Sequence, residues 1–179
     1  MSKKVLIISS SLRAGSNSHM LAQSFCDGAK EAGHETELIS LRDKQISFCR
    51  GCLACQRTQK CVIDDDAVAL AEKMKSSDVM VFATPIYYYE MSGQLKTLLD
   101  RANPLYTTDY KFRDIYLIAT ATEDEDSTWE RAASGLQGWI DCFPKARFVR
   151  AIFGGGVTDP GEIRDRAVME KARALGKEI

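Results

Sequence analysis

The sequence has no apolar run approaching the roughly 20 residues that a membrane-spanning helix needs. Its 24 Lys and Arg are balanced by 25 Asp and Glu, so it has no excess positive charge to attract nucleic acid or an anionic membrane. The first residues lack the long apolar stretch and small-residue cleavage site of a signal peptide. We therefore expect a cytoplasmic protein that binds neither nucleic acid nor membranes.

Glycine-rich phosphate motifs are absent from the turn that follows the first apolar run. This turn contains only Gly15, so it has neither the G-x-G-x-x-G of dinucleotide folds nor the Gly-Lys-Ser/Thr of the P-loop. The two histidines, His19 and His34, have no nearby catalytic partner in the sequence. These absences argue against a dinucleotide fold of that type and against hydrolytic chemistry.

What the chain does contain is a regular alternation of short apolar runs and amphipathic segments. The predicted strands occupy about 4–9, 35–41, 78–85, 114–122 and 148–153, and a helical pattern follows each of them except the second, where a long cysteine-rich loop intervenes. This alternation predicts an α/β fold with a doubly wound, five-stranded parallel sheet and helices on both faces. We expect a single domain over residues 1–179, with ligands at the carboxyl ends of the strands.

The loop 9–18 lies between the first strand and the first helix, which is predicted over about 17–32. It is rich in hydroxyls, carries Arg13 and contains no acid. Because a helix N-terminus presents unpaired N–H groups and partial positive charge, this loop could bind a phosphate. The alternative is an ordinary serine-rich turn in which Ser16, Asn17 or Ser18 caps the helix.

The other predicted helix starts suit an anion less well. The second opens with the acids 64–66, and the third has Glu90 beside Ser92. The fourth follows the acidic run 123–126 and carries the capping-box pattern 127–130, and residues 159–162 are predicted to cap a final helix that runs to the end. Acids repel phosphate, so the loop 9–18 is the favoured site. A serine-lined loop suits the terminal phosphate of a mononucleotide, of which FMN is the usual one.

The segment 83–89 places a proline and three tyrosines at the carboxyl end of the third strand. Backbone amides and flat rings there could line a planar heteroaromatic ligand. The alternative is that the tyrosines are core or interface anchors.

Together, these loops resemble those of the flavodoxin-like NAD(P)H-dependent FMN reductase family. The phosphate loop is similar over Ser9-x-Ser11-x-Arg13-x-x-Ser16-Asn17-Ser18, the flavin-ring loop over Thr84-Pro85-Ile86-Tyr87-Tyr88, and the next helix over Ser92-Gly93-x-Leu95-Lys96. The resemblance implies the strand order 2-1-3-4-5 and an FMN site. The residues implied to bind FMN are Ser9, Ser11, Arg13, Ser16, Asn17, Ser18, Pro85, Ile86, Tyr87, Tyr88, Thr120 and Thr122.

The resemblance also implies an activity. FMN would take a hydride from NADH or NADPH and reduce a small, quinone-like acceptor or a protein acceptor, with no side chain required as a catalytic acid or base. Members of the family usually associate, which implies a homodimer or higher homo-oligomer with a partner surface on 88–99. The competing interpretation is a non-enzymatic, flavodoxin-like electron carrier.

Four of the six cysteines fall within a long polar loop at about 42–63. Cys49-x-x-Cys52-x-x-Cys55, followed by five residues and Cys61, is similar to the motif of iron–sulfur flavoproteins, which implies a [4Fe–4S] cluster on these four residues. Other readings stay open: a Cys₄ zinc site in a zinc-organised interaction module, a redox pair such as Cys52 and Cys55, or reduced thiols in a structural loop.

Overall fold

The computed structural model describes residues 1–179. A parallel sheet lies at the centre of the fold. Its strands are β1 (Lys4–Ser9), β2 (Glu35–Ser40), β3 (Val79–Tyr87), β5 (Asp114–Thr120) and β6 (Arg147–Gly154). A short strand, β4 (Glu90–Met91), pairs antiparallel with the end of β3. The parallel strands are ordered β2-β1-β3-β5-β6, which is the predicted order once β4 is left out of the count. The predicted fold class is therefore confirmed.

Helices cover both faces of this sheet. They are α1 (Asn17–Glu31), α2 (Cys55–Thr58), α3 (Asp66–Ser76), α4 (Gly93–Arg101), α5 (Glu130–Ile140) and α6 (Ala167–Lys177). On one face, α1 and α6 share a buried cluster with Val5, Ile7 and Val81. On the other, α3, α4 and α5 pack against Leu6, Ile8 and Phe82. None of these helices is long and apolar enough to cross a bilayer.

The crossing of α1 and α6 depends on a glycine from each helix. A Cβ added at Gly28 would overlap the backbone of Arg173, and one added at Gly176 would overlap the backbone of Phe25. The two helices therefore approach until their backbones touch. This contact fixes the C-terminal helix against the helix that follows the loop 9–18.

Two predicted helix starts were wrong. The capping box at 127–130 does not form, because 126–129 is a 3₁₀ turn and α5 begins at Glu130 without a side-chain cap. Trp129 packs against the core there, and the hydroxyl of Thr128 is buried without a partner. The final helix begins at Ala167 instead of near residue 160, because Gly161 has a φ of 92°, which a right-handed helix does not contain.

The β3–β4 hairpin was also not predicted. Tyr88 and Tyr89 form its two-residue turn with φ values of 51° and 65°, in the left-handed region. Two-residue hairpins of this kind usually use Asn or Gly, so a pair of tyrosines gives no sequence signal for one. The hairpin extends the third strand beyond the sheet and projects its tip into solvent.

Candidate functional site

A cleft of about 230 Å³ opens at the carboxyl ends of β1, β3 and β5. It brings together nearly all of the residues predicted to bind a cofactor: Ser11, Arg13, Ser16, Asn17, Ser18, Pro85, Ile86, Tyr87, Thr120 and Thr122. The structure leaves out Ser9, which is fully buried behind the cleft, and Tyr88, which is 98% exposed. The lining contains no acid, and Arg13 is its one charged side chain, so the cleft favours an anion.

The start of α1 supplies the donors of this cleft. Ser16 caps the helix, because its Oγ accepts a hydrogen bond from the His19 N–H at 3.3 Å, and its O–H stays available to donate. Ser18, in the first turn, is 1% exposed and its Oγ has no hydrogen-bond partner. A buried hydroxyl without a partner is costly, and an oxyanion in the cleft would satisfy it. This region therefore fits the predicted phosphate.

Asn17 and Arg13 have a second role, which the sequence did not indicate. The Asn17 amide donates to the Asp159 carbonyl and accepts from the N–H groups of Gly161 and Ile163. Arg13 donates to the Thr158 carbonyl at 2.6 Å. These side chains hold the turn at 158–163 against the loop 9–18, which makes that turn one wall of the cleft.

That wall contributes residues that sequence reasoning missed. Val157, Thr158 and Pro160 line the cleft from a segment far along the chain, and the Thr158 hydroxyl donates to the Thr122 hydroxyl at 3.2 Å. The turn signal Asp-Pro-Gly at 159–161 follows the last strand and could have marked this loop as part of the site. The same residues also fit the start of a helix, which is what the sequence predicts there.

A buried set of hydroxyls joins the two principal loops. Ser92 Oγ donates to Ser10 Oγ at 2.8 Å, and Ser10 Oγ donates to the Ala83 carbonyl. The N–H of Ser92 donates to Thr84 Oγ1 at 2.9 Å. Ser92 also caps α4, so one residue connects the loop 9–18, the end of β3 and the following helix. These contacts fix the spacing between the two sides of the cleft.

The opposite wall is formed by Pro85, Ile86 and Tyr87. Tyr87 is half-exposed at the rim. Tyr89 lies beneath the Arg131 guanidinium, which is 5.6 Å from the centre of its ring. The flat, apolar part of the cleft therefore comes from the end of β3, next to a group of exposed tyrosines.

Two groups on the elements around the cleft have a pKa shifted from its ordinary value. Burial lowers the pKa of His19, so this ring is neutral near pH 7 and adds no charge to the start of α1. Hydrogen bonds from the N–H groups of Thr158 and Asp159 lower the pKa of Glu162, so its charge persists and braces the turn that carries Thr158.

The four cysteines of the predicted cluster motif line a second cavity, of about 340 Å³. Cys49 and Cys52 are exposed, Cys61 is half-buried, and Cys55 is buried, where its thiol accepts a hydrogen bond from Asn103 at 3.0 Å. No three His, Cys, Asp or Glu side chains converge closely enough to hold one metal ion. The four thiols therefore line one cavity, but they do not converge on a single point within it.

The sequence profile of the NADPH-dependent FMN reductase family matches residues 3–151. An iron–sulfur flavoprotein of Methanocaldococcus jannaschii is 41% identical over 102 residues, which are 57% of this chain and 53% of that protein. One of Methanosarcina thermophila is 36% identical over 99 residues, 55% and 52% of the two chains. The matched region covers about half the length of each of these curated relatives.

Solved structures confirm the flavodoxin-like fold. An NAD(P)H:quinone oxidoreductase from Methanothermobacter marburgensis superposes with a TM-score of 0.79 at 19% identity, covering 99% of this chain and 96% of that one. A flavodoxin, WrbA-like protein from Agrobacterium tumefaciens superposes with a TM-score of 0.69 at 14% identity, covering 99% and 95%. At these identities the likeness concerns the fold.

Proposed function

Because the chain belongs to the NADPH-dependent FMN reductase family, we propose that it is an FMN-dependent oxidoreductase. In this proposal it takes a hydride from NAD(P)H and reduces a small, quinone-like acceptor. When bound, FMN supplies the chemistry that accepts the hydride and passes electrons on. The protein supplies binding, orientation and access.

The observation that carries this proposal is the unpaired, buried hydroxyl of Ser18 in an acid-free cleft at a helix N-terminus. In the proposed complex, Ser18 and the hydroxyls of Ser11 and Ser16 donate to the FMN phosphate. Ser11 and Ser16 already accept N–H bonds within their own loop, which leaves each O–H free to point at the ligand.

The end of β3 would hold the flavin ring. Pro85, Ile86 and Tyr87 offer an apolar wall, and the threonines at 120 and 122 offer hydroxyls on the other side. No histidine, acid or cysteine lines the cleft, so in this proposal the residues around it bind and orient the cofactor. This fits a reaction in which the cofactor carries the chemistry.

The test begins with cofactor-free protein titrated with FMN, followed by quenching of flavin fluorescence. The loaded protein is then assayed for oxidation of NADH and of NADPH, with benzoquinone as the acceptor. Tight, stoichiometric binding with multiple turnovers is the expected result. Bound FMN without turnover would indicate an electron carrier, and no FMN binding would disprove the assignment of the cleft.

We further propose that Cys49, Cys52, Cys55 and Cys61 hold a [4Fe–4S] cluster. A cluster binds one thiolate at each of four separate iron atoms, whereas zinc needs four ligands around one ion. Thiols spread around a common cavity suit the cluster better. Anaerobic reconstitution followed by iron and sulfide analysis tests this: iron and sulfide in equal amounts support a cluster, and stoichiometric zinc instead would contradict it.

We also propose that the chain forms a homodimer. Its proposed surface is the segment 88–99, where Tyr88 is almost fully exposed at the tip of the hairpin. Light scattering on the FMN-loaded protein gives the mass directly, and a monomer at micromolar concentration would contradict it.

A further inference from the structure

Arg101, the last residue of α4, is 1% exposed and lies beneath the cysteine loop, defined here as residues 48–62. Its guanidinium donates to the Ser47 carbonyl at 2.8 Å and to the Ile63 carbonyl at 3.0 Å. Ser47 comes immediately before this loop and Ile63 immediately after it. One buried side chain therefore joins the two ends of the loop.

Asp65 completes this junction. Its carboxylate accepts from both terminal nitrogens of Arg101, at 2.7 and 2.9 Å, in a two-pronged pair. It also accepts from the N–H groups of Ser47 and Ala67. Asp65 thus binds Arg101, the start of the loop and the first turn of α3 at the same time.

The charges of this pair persist despite its burial. Burial opposes the positive charge of Arg101, but its hydrogen bonds with the Asp65 carboxylate raise its pKa above the ordinary value. Burial likewise opposes the charge of Asp65, yet hydrogen bonds from Arg101, Ser47 and Ala67 lower its pKa to about 2. The pair is therefore ionised at any physiological pH.

The same end of α4 also holds the middle of the loop. Asn103, two residues after Arg101, donates to the thiol of Cys55. Cys61 lines a small cavity with Arg101, whose Nε is buried and has no hydrogen-bond partner. Residues 101 and 103 therefore lie against both ends of the cysteine loop and against two of its four cysteines.

We propose that Arg101, held by Asp65, is the positioning residue of the cysteine loop, closing its base so that the four thiols surround one cavity. Its effect on metal binding rests on the cluster proposed above, whereas the closure itself can be measured in metal-free protein. Arg101 acts by fixing where the thiols lie.

Arg101→Lys is the informative variant. Lysine keeps the charge opposite Asp65, but an ammonium cannot reach two carbonyls and both carboxylate oxygens in the planar, forked geometry of a guanidinium. The matched control is Arg147→Lys, because Arg147 makes a single exposed ion pair with Asp114 on another face.

The experiment measures alkylation of each cysteine by iodoacetamide in the full-length, metal-free, FMN-loaded protein, with mass spectrometry to identify the sites. In Arg101→Lys we expect Cys55 and Cys61 to react about tenfold faster or more, because local opening exposes them. Buried Cys26 reports on global unfolding and should react at the wild-type rate, as should all sites in Arg147→Lys. Unchanged rates at Cys55 and Cys61, or an equal acceleration at Cys26, would overturn the proposal.

A second measurement addresses the metal. After anaerobic reconstitution, Arg101→Lys should retain roughly a tenth or less of the wild-type iron when a chelator competes, as expected when ligand support is lost. Equal iron retention by the two proteins would also overturn the positioning role. If wild-type protein takes up no iron at all, the cluster proposal fails, and the alkylation rates still decide whether Arg101 closes the loop.

Asp65→Asn covers the case in which Arg101→Lys does not fold. Asparagine can still cap α3 but removes the charge that orients the guanidinium. The same acceleration at Cys55 and Cys61, with Cys26 unaffected, is expected.

Discussion

At the scale of single residues, Ser18 differs from the other hydroxyl residues of the cleft because its buried Oγ has no hydrogen bond. We predict that Ser18→Ala weakens FMN binding by about tenfold to a hundredfold, the range expected for losing one hydrogen bond to a charged group. Fluorescence titration measures this. Riboflavin, which lacks the phosphate, should bind both proteins equally.

The control for this prediction is Ser24→Ala on the same helix. Ser24 donates to the Met169 carbonyl, on the side of α1 that faces α6. FMN affinity should not change in this variant. An Ser18→Ala protein that binds FMN as tightly as the wild type would remove Ser18 from the phosphate site.

Asp65 makes stability depend on pH. Its pKa is about 2 in the folded chain and 3.8 as the ordinary value, so its charge stabilises the fold by about 2 kcal/mol above pH 4. As the pH falls towards 2 this contribution disappears, and roughly half is lost near pH 3. Urea unfolding of wild type and Asp65→Asn at several pH values should show a gap that narrows on acidification. A gap independent of pH would contradict this.

Residue types and spacing predicted most of the cleft. The hydroxyl-rich loop, its arginine and Pro85 are local signals, and the structure places all of them around one space. Two aspects could not be predicted from local patterns. The use of Asn17 as an anchor for residues 159–163, and the junction of Arg101 with Ser47 and Ile63, depend on contacts between distant segments.

At the scale of elements, the two glycines at the α1–α6 crossing allow these helices to approach until their backbones touch. We predict that Gly28→Ala destabilises the protein by about 1–3 kcal/mol, because the added methyl would overlap the backbone of Arg173 in a fully packed interface. Thermal or urea unfolding measures the change.

Gly138→Ala in α5 is the matched control. Nothing lies within 4 Å of a Cβ at that position, so alanine should instead stabilise the helix by about 0.5–1 kcal/mol. Similar effects of the two substitutions would show that the close approach of α1 and α6 is not what Gly28 provides.

Helix starts were predicted correctly where a single capping residue marked them. Asp65 caps α3 and Ser16 caps α1, as acids and hydroxyls at helix starts indicate. The capping box at 127–130 does not form, because these residues enter a 3₁₀ turn in which Thr128 is buried and Trp129 packs against the core. The hairpin at Tyr88 and Tyr89 was missed because its left-handed backbone is imposed by pairing of β3 with β4 and opposes the usual preference of tyrosine.

At the scale of the whole molecule, cofactor binding should stabilise the fold. At a free FMN concentration of about 100 times Kd, the free energy of unfolding rises by about 2.7 kcal/mol. For a chain of this length we expect Tm to rise by roughly 5–10 °C. Differential scanning calorimetry measures the shift, and riboflavin at the same concentration should give less. No shift with FMN would contradict binding to the folded state.

The order of strands was the most predictable property of the molecule. Alternating apolar and amphipathic segments restrict the possible topologies, and the resemblance supplied the order that the structure shows. The cysteine loop was the least predictable part, since its sequence has no period and its ends meet at the buried pair of Arg101 and Asp65.

The hydroxyl contacts of Ser10, Thr84 and Ser92 bear on the kinetics of cofactor exchange. They join the phosphate side and the ring side of the cleft, so separating these two sides would break three buried hydrogen bonds. The outer part of the turn at 158–163 is held by hydrogen bonds with Arg13, Asn17 and Thr122, whereas Ile163 at its end is buried in the core. We therefore expect the dissociation rate of FMN to be set by how often that outer turn opens. Substitutions in the turn should then change the residence time of FMN.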